Sequence, residues 1–467
     1  MKLLERFCVG LCLLSPAALW SQVESTPAPP VPAVVGPRLP DPEITASDST
    51  SERMLTPPPV SGQSFPISTT SEERSNYLRG GVAFTSAYTD NAVGSLTGHP
   101  VSDVSYSVAP FITLDETTAR LHLISTYAPG FTFYQRESGL NEADQNASIS
   151  LQYRLSPHVT LSARDGFQKS SNVFNQPDLA LAGAVSGSTQ EANFSIIAPI
   201  ADRLSNSGNV GIAAQLSPNG MVGASGTFTN LHYPNQAEVP GLFDSSSQAG
   251  SVFYAVRAAK RHYIGVTYQY QRLLSYPAAG QNEAQTQAVL LFYTLYASAR
   301  FSISAFGGPQ YASIGPQLFA AGIAPVPGSH NWNPAAGASL NWQAHLSSFA
   351  LSYAHVIAGG GGLIGAVTMD SANASFRQQL LPTLSASVGG GYAQNDVLDA
   401  TPLTNENGHT FSATATLQQQ FRQHLNVELG YTRLHEDYST VAVLAATPNT
   451  NREFISISYQ FARALGR

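Results

Sequence analysis

The sequence predicts an all-β fold: a single large antiparallel transmembrane β-barrel of about 18 strands (range about 16–20), behind a disordered N-terminal extension. Three observations carry this. From about Val82 to Phe461 the chain repeats segments of roughly ten residues in which apolar and polar side chains alternate, each followed by a turn. The connections between segments are by turns very short and long. Charged residues make up only 11% of the chain, against about a quarter in soluble domains. No stretch after the first 22 residues offers the roughly 18 consecutive apolar residues of a helical span.

Residues 1–22 read as a signal peptide. Lys2 and Arg6 precede an apolar run from Phe7 to Leu14, and small residues around Ser15, Ala17, Ala18 and Ser21 follow. The run is too short to anchor the chain in a bilayer. Cys8 and Cys12, the two cysteines of the chain, both lie inside it, each after a large residue, which tells against a lipoprotein and leaves a mature chain without thiols. Residues 23–76 carry eleven prolines, among them Pro57, Pro58 and Pro59, amid Ser, Thr and acidic residues. Such a composition buries no core and is expected to be a disordered linker, with a docking arm as the other reading.

The barrel is expected over 77–467. The alternation places strands at 77–88, 101–113, 119–135, 144–155, 157–170, 204–216, 221–232, 249–260, 262–274, 285–297, 299–312, 333–344, 347–358, 367–378, 383–396, 409–420, 424–436 and 451–461. Residues 147–155 show the logic: Ala147, Ile149, Leu151, Tyr153 and Leu155 share one face, and Ser148, Ser150, Gln152 and Arg154 the other. Ser156-Pro157, Ser217 to Gly220, Ala259 to His262 and Leu381-Pro382 are among the tight turns, and glycine- and asparagine-rich loops fill the opposite side. Phe194 to Pro199 and Thr440 to Ala446 are apolar enough to add strands. Val289 to Ala297 is apolar on both faces, so its inner face is expected to meet a plug or folded loop unless its phase is misread. A soluble array of β-sandwiches would need a domain boundary every hundred or so residues (about 100–150), and none is visible.

The last strand runs Phe454-Ile455-Ser456-Ile457-Ser458-Tyr459-Gln460-Phe461. Its alternate apolar residues Ile455, Ile457, Tyr459 and the aromatic Phe461 resemble the C-terminal assembly signal of Gram-negative outer-membrane β-barrel proteins, although six residues follow the aromatic here. The resemblance covers the signal peptide and residues 77–461 as an architectural, porin-like class, without residue-by-residue match to one member. It implies an outer-membrane location, lipid and the barrel insertion machinery as partners, a homo-oligomer as one allowed assembly, and a periplasmic setting for the Pro-rich linker. The net charge of −7 tells against nucleic acid as a partner.

Phased by its apolar side, each strand offers an inner set. Arg79, His122, Arg154, Arg164, Arg257, Arg377 and Glu428 are the pore-lining candidates, an arginine excess that favours anions in a water-filled pore unless loop carboxylates neutralise it. Tyr134, Phe253, Phe292 and Phe306 share the inward phase and allow a sugar-stacking track. Tyr127, Phe131, Phe133, Tyr268, Tyr270 and Tyr431 fit an aromatic girdle at the membrane boundary. No His-Glu-x-x-His, Gly-x-Ser-x-Gly, phosphate loop or dinucleotide fingerprint occurs, so neither catalytic nor cofactor nor metal residues are expected. His435-Glu436-Asp437 is the one tight cluster and reads as a solvated loop base. The functional expectation is a porin-like channel for small polar or anionic solutes or an exported polysaccharide. A structural or surface barrel plugged by loops such as 171–203 and 313–332 is the rival.

Overall fold

The structure, a computed structural model, describes residues 76–92, 100–170, 202–236, 242–277, 280–298, 300–316, 327–360, 364–398, 407–421, 424–438 and 449–465. Both extra-strand candidates, the signal peptide, the Pro-rich linker and most of the two loops named as plugs lie outside them.

Eighteen strands form one sheet: β1 (Asn76–Thr89), β2 (Asp103–Thr117), β3 (Leu121–Tyr134), β4 (Glu142–Ser156), β5 (Val159–Ser170), β6 (Arg203–Ser217), β7 (Gly220–His232), β8 (Asp244–Ala259), β9 (His262–Tyr276), β10 (Asn282–Ser298), β11 (Phe301–Ile314), β12 (Ser329–Gln343), β13 (Ser347–Gly360), β14 (Ile364–Leu381), β15 (Leu384–Val397), β16 (Gly408–Phe421), β17 (Leu425–Asp437) and β18 (Asn449–Ala464). Each pairs antiparallel with its sequence neighbours, and β1 pairs with β18 from Tyr77↔Ala464 to Thr89↔Arg452, which closes the barrel and leaves no free edge at the seam. Among the described residues the helical content is a single 3-10 turn, Ser138–Leu140. The tight turns are self-capped: the Ser156 hydroxyl accepts the Val159 N–H at 3.1 Å, and the Thr118 hydroxyl accepts that of Leu121 at 3.0 Å.

Pleating sends alternate side chains to opposite faces, and the outer face follows the predicted phase. Phe84, Ile112, Ile149, Leu291, Leu351, Val388, Leu429 and Ile455 are all large, apolar and exposed. No aqueous protein leaves so continuous an apolar surface uncovered; a closed barrel wearing it is built for lipid. Aromatic residues mark both margins of the band, with Tyr353, Tyr392, Phe411 and Tyr431 towards the long loops and Trp342, Phe421, Tyr459 and Phe461 towards the turns.

Glycines let neighbouring rings lie flat along the wall. A Cβ at Gly80 would strike the ring of Phe461, so the last aromatic of the chain seats on the first strand and covers the seam. A Cβ at Gly337 would strike Phe306 in the same way on the inner face.

Candidate functional site

The inner wall divides by chemistry. On β1–β7 and β14–β18 the inward residues are mostly Ser, Thr, Asn, Gln and charged groups, tied by cross-strand hydroxyl pairs: Thr85 to Ser456 at 2.9 Å, Thr113 with Thr126 at 3.2 Å, Ser387 with Thr416 at 2.6 Å and Thr414 with Thr432 at 3.3 Å. On β8–β13 the inner face carries a large apolar patch, set among buried polar residues such as Thr267, Thr286, Thr294, Ser304 and Gln310. Ala255, Ala288, Leu290, Phe292, Phe306, Ala335 and Val356 form one buried cluster, joined by Phe253, Ala354 and Met369.

The phase of the β10 segment is as the alternation predicts, with Val289, Leu291 and Tyr293 outward and exposed and Ala288, Leu290 and Phe292 inward and buried. What its side of the lumen meets is the end of the β13–β14 hairpin. Pairing of β12 with β13 stops at Ala336↔His355, while β12 continues on β11 to Ile314↔Ser329. Beyond His355 the hairpin is held only by its own ladder and β15. Val356 and Ile357 are successive residues of opposite phase, yet both are buried. Ile357 packs with Leu273 of β9, Ala284 of β10 and Ala312 and Ile314 of β11, with Ala366 and Leu398 alongside. The hairpin therefore leaves the wall and leans across the inside. Tyr353 and His355 both bond Asp370 Oδ1, at 2.6 and 2.9 Å, where it departs.

The predicted lining residues fall on the polar arc or near the turns, and several have structural partners. Arg257 caps the β6–β7 turn, donating to Asn219 Oδ1 and the Pro218 carbonyl at 3.0 Å each. Arg377 donates to the Ser385 hydroxyl at 3.4 Å and feels the charge of buried Glu428. His122 Nε2 lies 3.5 Å from Asp115 Oδ1. Arg79 lies over the Tyr77 ring at 6.0 Å. Arg154 and Arg164 sit on the inward phase of β4 and β5, with Arg164 exposed.

The arginine excess is smaller than the sequence reading assumed. Asp103, Glu142, Asp144 and Glu436 also have the inward phase, towards the long loops, beside Arg203 and Arg452. Asp103 clamps the β3–β4 connection, accepting the N–H groups of Arg136 at 3.1 Å and Glu137 at 2.9 Å. Lumen charge is thus graded along the axis: on balance basic near the turns, where Asp115 and Glu428 offset part of the arginine charge, and acidic near the loops, where Arg203 and Arg452 offset part of the carboxylates. Asp103, Glu142 and Asp144 were missed because they sit at the first residues of their strands, where alternation has barely begun, and Glu436 because the end of β17 reads as a loop. The aromatic track is corrected too: Phe253, Phe292 and Phe306 lie over Gly223, Gly265 and Gly337 as part of the wall, and Phe292 and Phe306 are buried, so these rings are not free to stack on a sugar. Near the loop side, Tyr438 is fully buried, its hydroxyl bonded to Asn395 Nδ2 at 2.7 Å and to Thr410 Oγ1 at 3.0 Å. His435 and Asp437 belong to the end of β17 rather than to a loop, with Glu436 on the opposite face.

The four residues of the C-terminal motif, Ile455, Ile457, Tyr459 and Phe461, share the exposed outer face of β18.

No protein-family model matches the sequence, and no curated protein matches it either. Among solved structures it is similar to Pseudomonas aeruginosa OpdQ, at 10% identity and a TM-score of 0.40 over 83% of this chain and 99% of that one. It is similar also to the FrpB iron transporter from Neisseria meningitidis, at 10% identity and 0.39 over 83% and 82%, and to Pseudomonas aeruginosa OccK2, at 9% identity and 0.40 over 83% and 98%. Its own register and apolar outer face identify the chain as an outer-membrane-type β-barrel, closed by 18 antiparallel strands.

Proposed function

We propose that this barrel is a porin-like channel passing small polar solutes along the polar arc of its lumen, with the β13–β14 hairpin as the constriction. The observation that carries the reading is the concentration of apolar inner surface on one arc. There the hairpin covers it, while Gln152, Ser162, Arg164 and Ser207 on the other arc remain exposed to water. A wall meant only to hold a packed core would gain nothing from water-facing polar residues such as these.

The axial charge gradient supports weak overall ion preference with direction-dependent flow, since one mouth is on balance basic and the other on balance acidic. Insertion into planar bilayers tests this. Stepwise conductance that rectifies with the sign of the voltage is expected, and reversing Arg164 to Glu reduces the rectification. The burial of Leu290 and Phe292 favours the rival, a plugged structural barrel. Silence from protein whose folding is verified by heat-dependent gel mobility would establish that rival instead. Recognition of Ile455, Ile457, Tyr459 and Phe461 by the insertion machinery belongs to the same proposal. Phe461→Ala is expected to lower the yield of inserted barrel.

A further inference from the structure

We propose that His409, His435 and Asp437 form a binding site for a divalent transition cation of the zinc class, on the outer face of the barrel just above the loop-side aromatic girdle. The register builds the site. His409 of β16 pairs directly with Asp437 of β17, and His435 precedes Asp437 by two residues, so all three side chains leave the same face. Their ligand atoms lie within 4.8 Å of one another. Tetrahedral zinc, with bonds of about 2.1 Å, wants ligand atoms roughly 3.4 Å apart, a separation that small side-chain rotations reach. The two imidazoles already stand side by side, ring centres 5.4 Å apart.

His435 Nδ1 lies 3.0 Å from Asn449 Oδ1, and the Arg433 guanidinium donates to that same oxygen at 3.3 Å, which fixes it as an acceptor. Nδ1 of His435 must therefore carry the proton, leaving the Nε2 lone pair for a metal; this is how proteins orient ligating histidines. Two neutral imidazoles and one carboxylate suit zinc, copper or nickel and not magnesium or calcium, which prefer oxygen ligands. Tyr392 and Phe411 lie on the same face nearer the bilayer, so the cluster stands at the water side of the girdle, open to ions in the external medium. A bound ion would cross-link β16 to β17 where their ladder ends.

The test uses the full chain without a histidine tag, folded in detergent, stripped with chelator and titrated with zinc by calorimetry at neutral pH. Uptake of one zinc per chain in the micromolar range is expected, with loss of binding in His409→Gln and in His435→Gln and about tenfold weakening in Asn449→Ala. No saturable uptake by folded protein, or equal uptake by the His409→Gln/His435→Gln double variant, overturns the site. Should the variants fail to fold, copper loaded on the unaltered protein decides: nitrogen hyperfine couplings from two imidazoles support the proposal, and a spectrum of oxygen ligands alone sinks it.

Discussion

The arc formed by β8–β13 and the arc formed by β14–β18 with β1–β7 share one kind of outer face and differ in the balance of apolar and polar residues on the inner one. Outside, Leu291 of β10 and Leu429 of β17 meet the same solvent, the hydrocarbon of a bilayer, and are both exposed. Inside, their neighbours Leu290 and Glu428 are both buried, one in an apolar cluster and the other within reach of the Arg377 charge. The outer face answers to a uniform medium, while the inner face answers to whatever stands across the lumen. That inner difference locates the hairpin: the apolar patch on β9–β11 lies where a folded segment covers it.

The largest effect is expected where the two arcs are made alike. Ile357→Asp places a carboxylate among Leu273, Ala312 and Ile314, and burying an unpaired charge costs several kcal/mol or more. The hairpin end relieves it by moving off the wall, because its only ladder partners beyond His355 are its own strands and β15. Single-channel conductance should rise several-fold while the heat-dependent mobility shift of the folded barrel is kept. Unchanged conductance in a folded variant would mean that the hairpin does not limit the pore.

Next in size is a matched pair of ring deletions. Phe306 and Phe454 each lie over a glycine, Gly337 and Gly430, but Phe306 also packs into the apolar cluster, whereas Phe454 shares its ring with the Arg452 guanidinium at 5.7 Å. Phe306→Ala leaves a cavity closed on all sides and should cost about 3 kcal/mol or more. Phe454→Ala opens onto the polar arc and should cost roughly half that, since water or neighbouring side chains fill the space. Denaturant unfolding of the detergent-solubilised barrel measures both. Equal losses would erase the distinction between the arcs.

The same contrast explains what could be read in the sequence. Eighteen strands, their turns and their outward phase were legible because lipid imposes one rule on every strand, and Ala147 to Leu155 obeys it as plainly as Phe454 to Phe461. The double-sided apolar pattern at Val289 signalled a covered inner face, although not by what. The hairpin end was illegible: Val356-Ile357-Ala358 reads as ordinary strand, and only the loss of pairing to β12 shows it leaving the wall. The metal-ligand cluster was hidden for another reason. His409 and Asp437 are 28 positions apart in sequence, and only register brings them together. Likewise Asp103, Glu142 and Asp144 begin their strands, where two or three residues of alternation cannot fix a phase.

The smallest effect separates the arcs by a single hydroxyl. Thr294 and Ser304 on the apolar arc are hydrogen-bonded at 3.0 Å and both buried. Thr414 and Thr432 on the polar arc are bonded at 3.3 Å and both partly exposed. Thr294→Val strands the Ser304 hydroxyl in a dry place, a loss of about 1–2 kcal/mol, because an unsatisfied buried group forfeits its full solvation. Thr414→Val leaves Thr432 free to turn to water, so roughly 0.5 kcal/mol or less is expected. The difference is a direct reading of whether water reaches the polar arc. If both substitutions cost the same larger amount, that arc is as dry as the other, the lumen is filled all round, and the channel gives way to the plugged barrel.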